Sequence, residues 1–172
     1  MLAELEQQTR GDPLTGLLNR RALDEALDRE CARAERHCRP LAPALLDVDN
    51  FTRINDTFSH AVGDAVLVAI SACLLQSRRR SDYAARLGGE ELVLVLPETT
   101  IEQALELCAT VRKCLLALDW VAIGVAAPQS VTVSIGLAAG RAGETAKALL
   151  SRADALMYRA KALDKDRVEW GA

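Results

Sequence analysis

Two groups of carboxylates interrupt an otherwise apolar framework. Asp47-Val48-Asp49 closes the apolar run that begins at Leu41, and Glu90-Glu91 directly follows Gly88-Gly89. Burying unpaired carboxylates near one another is costly and calls for a compensating cation. Hard oxygen donors around an open position suit Mg²⁺, which one or two carboxylates hold while phosphate oxygens complete the shell. A Gly-Gly turn has no Cβ, so a triphosphate or ribose can come close to the backbone. On these residues alone, a solvated hairpin tip and a capped helix start account for the pattern equally well.

The elements that must position these groups follow from periodicity and punctuation. Asp12-Pro13-Leu14-Thr15-Gly16 has turn chemistry. Asn19 can cap a helix from Arg20 to about Arg36, with Leu23, Leu27, Cys31 and Ala34 on one face. Leu41 to Val48 reads as a buried strand with carboxylates at its C-terminal end. A short helix through Asn55 follows. A longer one spans Gly63 to Arg80, with Ala65, Val66, Ala69, Ile70, Cys73 and Leu74 inward. Tyr83–Leu87 and Glu91–Leu96 flank the glycine pair as a β-hairpin. Thr100–Leu118 and Thr145–Ala162 read as helices. Ala122–Ala126 and Val131–Ala139 read as strands around a Pro128 turn, and Arg167–Trp170 as an edge strand. Interleaved strands and helices with a hairpin predict one α/β (α+β) unit with a mixed sheet. Leu2 to Gln8 is helix-like but too short to stand alone, and reads as the tail of an upstream helix.

Composition bounds the rest. The 172 residues fit one domain with a real core. Lys plus Arg number 21 against 24 Asp plus Glu, a net charge of −3. A mildly acidic chain with two Trp, two Tyr and two Phe is a poor fit to DNA or RNA binding. No apolar run approaches bilayer-spanning length and no signal-peptide core is present. The five cysteines form no C-x-x-C pair and read as reduced, mostly buried thiols of a cytoplasmic domain.

The string Arg86-Leu87-Gly88-Gly89-Glu90-Glu91-Leu92 resembles the signature of the GGDEF family, the diguanylate cyclase domains. Further blocks occur in family order: Asp12 to Arg20, Asp47 to Phe51, Ile54-Asn55-Asp56, His60 to Asp64, Thr132 to Gly136, and Ala153 to Lys161. The resemblance covers nearly everything from Asp12 to Val168. It implies a nucleotidyl-cyclase-like fold, a mixed central sheet surrounded by helices with the hairpin at the active site. The domain then spans 12–172, with 1–11 as a remnant of an upstream linker helix. The implied reaction converts two GTP into cyclic di-GMP and two pyrophosphates, with one GTP on each half of a homodimer.

The same resemblance implies roles. Asp47, the Val48 carbonyl and Glu90 are the metal ligands, for Mg²⁺ with Mn²⁺ as the alternative. Glu90 is the base for the 3′-hydroxyl, and Glu91 completes the acidic cluster. Asn55 and Asp64 match guanine-reading positions, since a carboxylate accepts from guanine N1–H and N2–H₂. His60, Gly88, Gly89, Lys161 and Lys165 complete the substrate site. Four departures stand out: Leu92 for Phe, Thr52 for a phosphate-binding Lys, Ser59 for Gly, and Asp164-Lys165-Asp166-Arg167 for Gly-Arg-Asn-Arg. Lys165 keeps a charge but loses the planar fork.

The run Arg78-Arg79-Arg80 suits a helix C-terminus. Yet Arg79-Arg80-Ser81-Asp82 also matches the family's Arg-x-x-Asp product-inhibition site, with Arg86 as an additional contact. The alternative to an enzyme is a catalytically weak domain acting as a cyclic di-GMP receptor. The resemblance also implies an upstream sensory domain in a larger protein, with membrane attachment of that protein as one alternative.

Overall fold

A computed structural model of the chain describes residues 10–172. The helix-like segment Leu2 to Gln8 lies outside the described residues. Helix α1 (Arg20–His37) begins where Asn19 accepts a hydrogen bond from the Ala22 backbone N–H. Strand β1 (Leu41–Val48) leads into α2 (Phe51–Thr57) and α3 (His60–Ser77). The hairpin β2 (Tyr83–Gly88) and β3 (Glu91–Pro97) follows. Helix α4 (Ile101–Leu116) starts with a reciprocal capping box between Thr100 and Gln103. After α5 (Trp120–Ile123) come β4 (Val133–Ala138), α6 (Ala146–Ala162) and β5 (Val168–Gly171).

The five strands run β2-β3-β1-β4-β5 across one sheet. Every neighbouring pair is antiparallel except β4 and β5, which are parallel, so the sheet is mixed. Alternation along β1 divides the core between the two faces. Ala42, Ala44, Leu46 and Val48 join the cluster under α3 and α4. Leu41 and Leu45 join the cluster of Leu23, Leu27, Leu149 and Met157 from α1 and α6. A Cβ on Gly136 would lie 2.0 Å from the Ala153 carbonyl and 2.2 Å from the Met157 nitrogen. Glycine at this one position therefore lets α6 lie against β4, and α6 carries Lys161.

Three sequence expectations are corrected. Ala122–Ala126 is not a strand, because Asp119 caps a single helical turn by accepting from Ala122 N–H at 3.0 Å, and Gly124 at φ 121° ends it. Helix α3 starts at His60 rather than Gly63, since Ser59 Oγ accepts from the Val62 N–H at 3.1 Å. Cys73 and Cys114 are joined as a disulfide across α3 and α4, with Cα atoms 5.9 Å apart, whereas Cys31, Cys38 and Cys108 are free. By length and composition α3 is also apolar enough to cross a membrane, which the sequence reading did not anticipate. Its Val66, Leu67, Ile70, Cys73 and Leu74 face is buried in the core.

Candidate active site

The hairpin turn is built by backbone conformation. Gly88 and Gly89 sit at φ 154° and 52°, a region that side chains disfavour. A Cβ on either would meet nothing within 4 Å, so conformation rather than crowding requires glycine here. Arg86 fastens the turn. Its Nε and Nη2 donate to the Gly89 carbonyl at 3.0 and 2.9 Å, and its Nη1 lies 3.3 Å from both Asp12 carboxylate oxygens. Asp12 also accepts from the Thr15 backbone N–H at 2.8 Å and the Thr15 hydroxyl at 2.7 Å. Burial raises the Asp12 pKa, but the Thr15 and Arg86 donors outweigh it and leave it below the usual carboxylate value. Arg86 thus ties the Asp12 turn to the hairpin, and it does not line the cavity that holds Arg79 and Asp82.

The β1–β3 register places Asp47 opposite Glu91. Directly opposed residues point to the same side of the sheet. Burial, then the neighbouring Asp47, Asp154 and Glu90 carboxylates, raises the Glu91 pKa. Burial also raises that of Asp47, against the pull of Lys161. The Lys161 ammonium contacts Asp47 Oδ1 and lies 3.2 Å from Asp49 Oδ1. It also donates to the Val48 carbonyl at 3.2 Å. Carboxylate and carbonyl oxygens thus converge on a single positive charge.

Asp49 has a different task from Asp47. It is 1% exposed and accepts from Thr132 Oγ1 and Ser134 Oγ, both at 2.7 Å, and from the Asp166 backbone N–H at 3.0 Å. Burial pushes its pKa up, but these donors prevail and hold it below the usual value. Asp49 is a strut between β1, β4 and the 164–167 loop. Thr132 and Ser134 are the site residues that sequence reasoning missed. Two hydroxyls two residues apart near an apolar strand, facing one side, were the available signal.

The donor set fits Mg²⁺. Asp47 and the Val48 carbonyl present hard oxygens to the Lys161 ammonium, and Glu90 is near enough for its charge to raise the Asp47 pKa. Among the described residues no three His, Cys, Asp or Glu side chains form a complete metal cage. Two carboxylates and a carbonyl leave room for phosphate oxygens, which is the usual arrangement for Mg²⁺ beside nucleotides.

Asn55, on α2, has a buried side-chain oxygen without a hydrogen-bond partner. A Cβ on Gly63 would stand 1.8 Å from that oxygen, so glycine at 63 makes room for it. Asp64 and His60 are exposed on the first turn of α3. A buried, unpaired amide oxygen costs free energy unless something donates to it. Lys165 Nζ donates to Asn50 Oδ1 at 2.6 Å. Its neighbours share an unusual backbone: Asp164, Lys165 and Asp166 lie at φ 73°, 61° and 42°. The left-handed region costs a non-glycine residue roughly 1–2 kcal/mol. Asp164→Gly is therefore expected to stabilise the fold by roughly 1 kcal/mol, read as a raised urea midpoint. An unchanged or lowered midpoint would count against strain in this loop.

Asp82 is buried at the start of β2. Its Oδ2 accepts from the Arg79 backbone N–H at 2.8 Å, and Arg78 Nη1 donates to its carbonyl at 2.8 Å. Its Oδ1 is buried without a partner. Burial raises its pKa despite Arg79 and Arg78. Arg79 and Asp82 line a cavity of about 180 Å³ whose α4 wall includes Gln103, Glu106 and Thr110.

Comparison with known proteins gives the family and the fold. The sequence model of "Diguanylate cyclase, GGDEF domain" matches residues 9–167. Diguanylate cyclase DgcP of Pseudomonas aeruginosa is 42% identical over 98% of this chain, which covers 25% of DgcP. Response regulator PleD of Caulobacter vibrioides is 38% identical over 91% of the chain, covering 35% of PleD. The chain thus spans a quarter to about a third of the length of these relatives. The coiled coil and GGDEF domain of DgcB from Caulobacter crescentus, solved in complex with c-di-GMP, superposes with a TM-score of 0.90. It is 29% identical, over 99% of this chain and 90% of that one. Diguanylate cyclase SiaD from Pseudomonas aeruginosa, solved with its activator SiaC, gives 0.89 at 38% identity, over 99% and 65%. A five-stranded mixed sheet, a Gly-Gly-Glu-Glu hairpin at its acidic centre and a family match over nearly the whole chain lead to one conclusion: the chain belongs to the GGDEF family of diguanylate cyclase domains.

Proposed function

We propose that this domain condenses two GTP into cyclic di-GMP and two pyrophosphates, one GTP being held by each half of a homodimer. The observation that carries this reading is the convergence of Asp47 and the Val48 carbonyl on the Lys161 ammonium, with Glu91 opposite Asp47 beside the glycine turn. Asp47, Val48 and Glu90 would hold Mg²⁺ or Mn²⁺, which when bound neutralises triphosphate charge and favours in-line displacement at phosphorus. Glu90 takes the proton from the 3′-hydroxyl. Glu91 adds negative charge to the same centre. Gly88 and Gly89 leave space for ribose and phosphate. Lys161, Lys165 and His60 meet the triphosphate side of the nucleotide. Dimerisation would bring each 3′-hydroxyl to the other nucleotide's α-phosphate, the main gain being proximity. Since GTP is a cytoplasmic metabolite, the site faces the cytoplasm. A sensory domain or activating partner in a longer protein would control pairing.

Asn55 and Asp64 would read guanine. The unpaired Asn55 oxygen accepts from a donor on the base, and Asp64 accepts from N1–H and N2–H₂, which adenine lacks. Asp64→Ala should weaken GTP binding by about 1–3 kcal/mol and narrow the preference over ATP. Unchanged GTP affinity would place base reading elsewhere.

A second reading is favoured by the Arg79–Asp82 cavity. Arg79 would fork onto phosphate and the unpaired Asp82 oxygen would accept from a guanine edge. Product bound there restrains the cyclase. If turnover were negligible, the same site would make the domain a receptor. Incubation with GTP and, separately, ATP in the presence of Mg²⁺ distinguishes these. Cyclic dinucleotide from GTP alone supports the enzyme. Binding of cyclic di-GMP without any turnover supports the receptor.

A further inference from the structure

The Cys73–Cys114 pair lies one helical turn from residues that line the Arg79–Asp82 cavity. Cys73 lies four residues before Ser77 on α3, and Cys114 lies four residues after Thr110 on α4. Residues four apart share a helix face one turn on. Ser77 and Thr110 both line the cavity that holds Arg79 and Asp82. The sulfur link therefore joins the two helices one turn from the opposite walls of that cavity. Arg79 and Asp82 themselves follow directly from the end of α3.

We propose that Cys73 and Cys114 form a redox-controlled tie that sets the shape, and hence the cyclic di-GMP affinity, of the Arg79–Asp82 cavity; this rests on the product-site reading above. The other thiols are unsuited to the role. Cys31 and Cys108 are free rather than bonded. Cys38 is exposed at the far end of α1. Cys73 and Cys114 meet within disulfide range, with Cα atoms 5.9 Å apart, and Cys114 is half-buried, which leaves it the more accessible sulfur.

The step is a two-electron oxidation by a peroxide. The Cys114 thiolate attacks one oxygen of hydrogen peroxide, the O–O bond breaks, and the leaving hydroxide takes up the thiol's proton as water, which leaves a sulfenic acid. The Cys73 thiol then attacks that sulfur, the S–S bond forms and a second water leaves. A small dithiol returns both thiols by exchange and is itself oxidised. In the tied state the α3 and α4 walls are held together before ligand arrives, and preorganisation favours binding. In the reduced state the walls can part.

The test is calorimetric titration of cyclic di-GMP onto the parent domain after peroxide and after a dithiol. Intact mass with alkylation gives the state of the thiols. The oxidised form should bind about three- to tenfold more tightly, and Cys114→Ser should behave like the reduced parent under both treatments. Because oxidised and reduced parent differ by no substitution, a folding defect in the variant does not affect the comparison. Equal affinities, tighter binding by the reduced form, or failure of peroxide to link Cys73 to Cys114 would overturn the proposal. If neither form binds, the product-site reading fails and takes this inference with it. If both bind equally and Arg79→Ala weakens both, that reading stands and only the redox tie is removed.

Discussion

Glu90→Gln should lower cyclic di-GMP formation by about 10²–10⁴-fold, the range removed with a general base, and leave the fold intact. Glutamine has nearly the size of glutamate, but its amide neither takes a proton at neutral pH nor serves Mg²⁺ well. Glu90 is half-exposed at the hairpin tip, so little packing is lost. The hairpin keeps its other constraints, since Arg86 still binds the Gly89 carbonyl and Asp12. The expected pattern is an unchanged denaturation midpoint with almost no product. Near-normal turnover by a folded Glu90→Gln protein would remove Glu90 from the chemistry. Asp47→Asn should act in the same direction through loss of a ligand. The Lys161 ammonium keeps Asp49 and the Val48 carbonyl as partners, and burial with the neighbouring carboxylates already disfavours the Asp47 charge, so the fold should survive the substitution.

Arg79→Ala should weaken cyclic di-GMP binding tenfold or more. A charge-assisted hydrogen bond contributes roughly 1.5–3 kcal/mol, one to two decades of affinity. The substitution is clean because the backbone N–H of residue 79 still donates to Asp82 Oδ2. The loss then reports the guanidinium. Asp82→Ala should weaken binding comparably but also unlatch this turn, so Asp82→Asn is the better partner variant. It keeps an acceptor for the Arg79 N–H and spoils only the charged contact. Calorimetry on the parent, Arg79→Ala and Asp82→Asn measures the difference. Equal affinity in all three would make residues 78–82 no more than a charged helix end.

The sequence carried the frame of this fold because its strongest signals are local. Asn19, Thr100 and Thr145 announce helix starts through side chains that accept from backbone N–H groups three residues on. The glycine pair announces the hairpin in the same local way. Segment 120–126 misled because Val121, Ile123 and Val125 suit a strand, while the Asp119 cap and Gly124 select one helical turn.

What escaped depends on distant pairing. Lys161 meets Val48 across 113 residues, and only the seating of α6 over Gly136 brings them together. In the sequence Asp49 is only one of the two acids at the end of β1. The sheet order brings Thr132 and Ser134 beneath it and turns it into a strut. Cys73 and Cys114 are 41 residues apart on two helices whose contact no spacing rule forecasts.

Synthesis of cyclic di-GMP from GTP at this acidic hairpin centre can be measured through its products. The most direct measurement is the stoichiometry of products when the domain is incubated with GTP and Mg²⁺ at a concentration that permits pairing. Two pyrophosphates should be released for each cyclic di-GMP formed, with both products absent when Glu90→Gln replaces the parent. Pyrophosphate without cyclic di-GMP, or neither product from a domain that still binds GTP and dimerises, would contradict it.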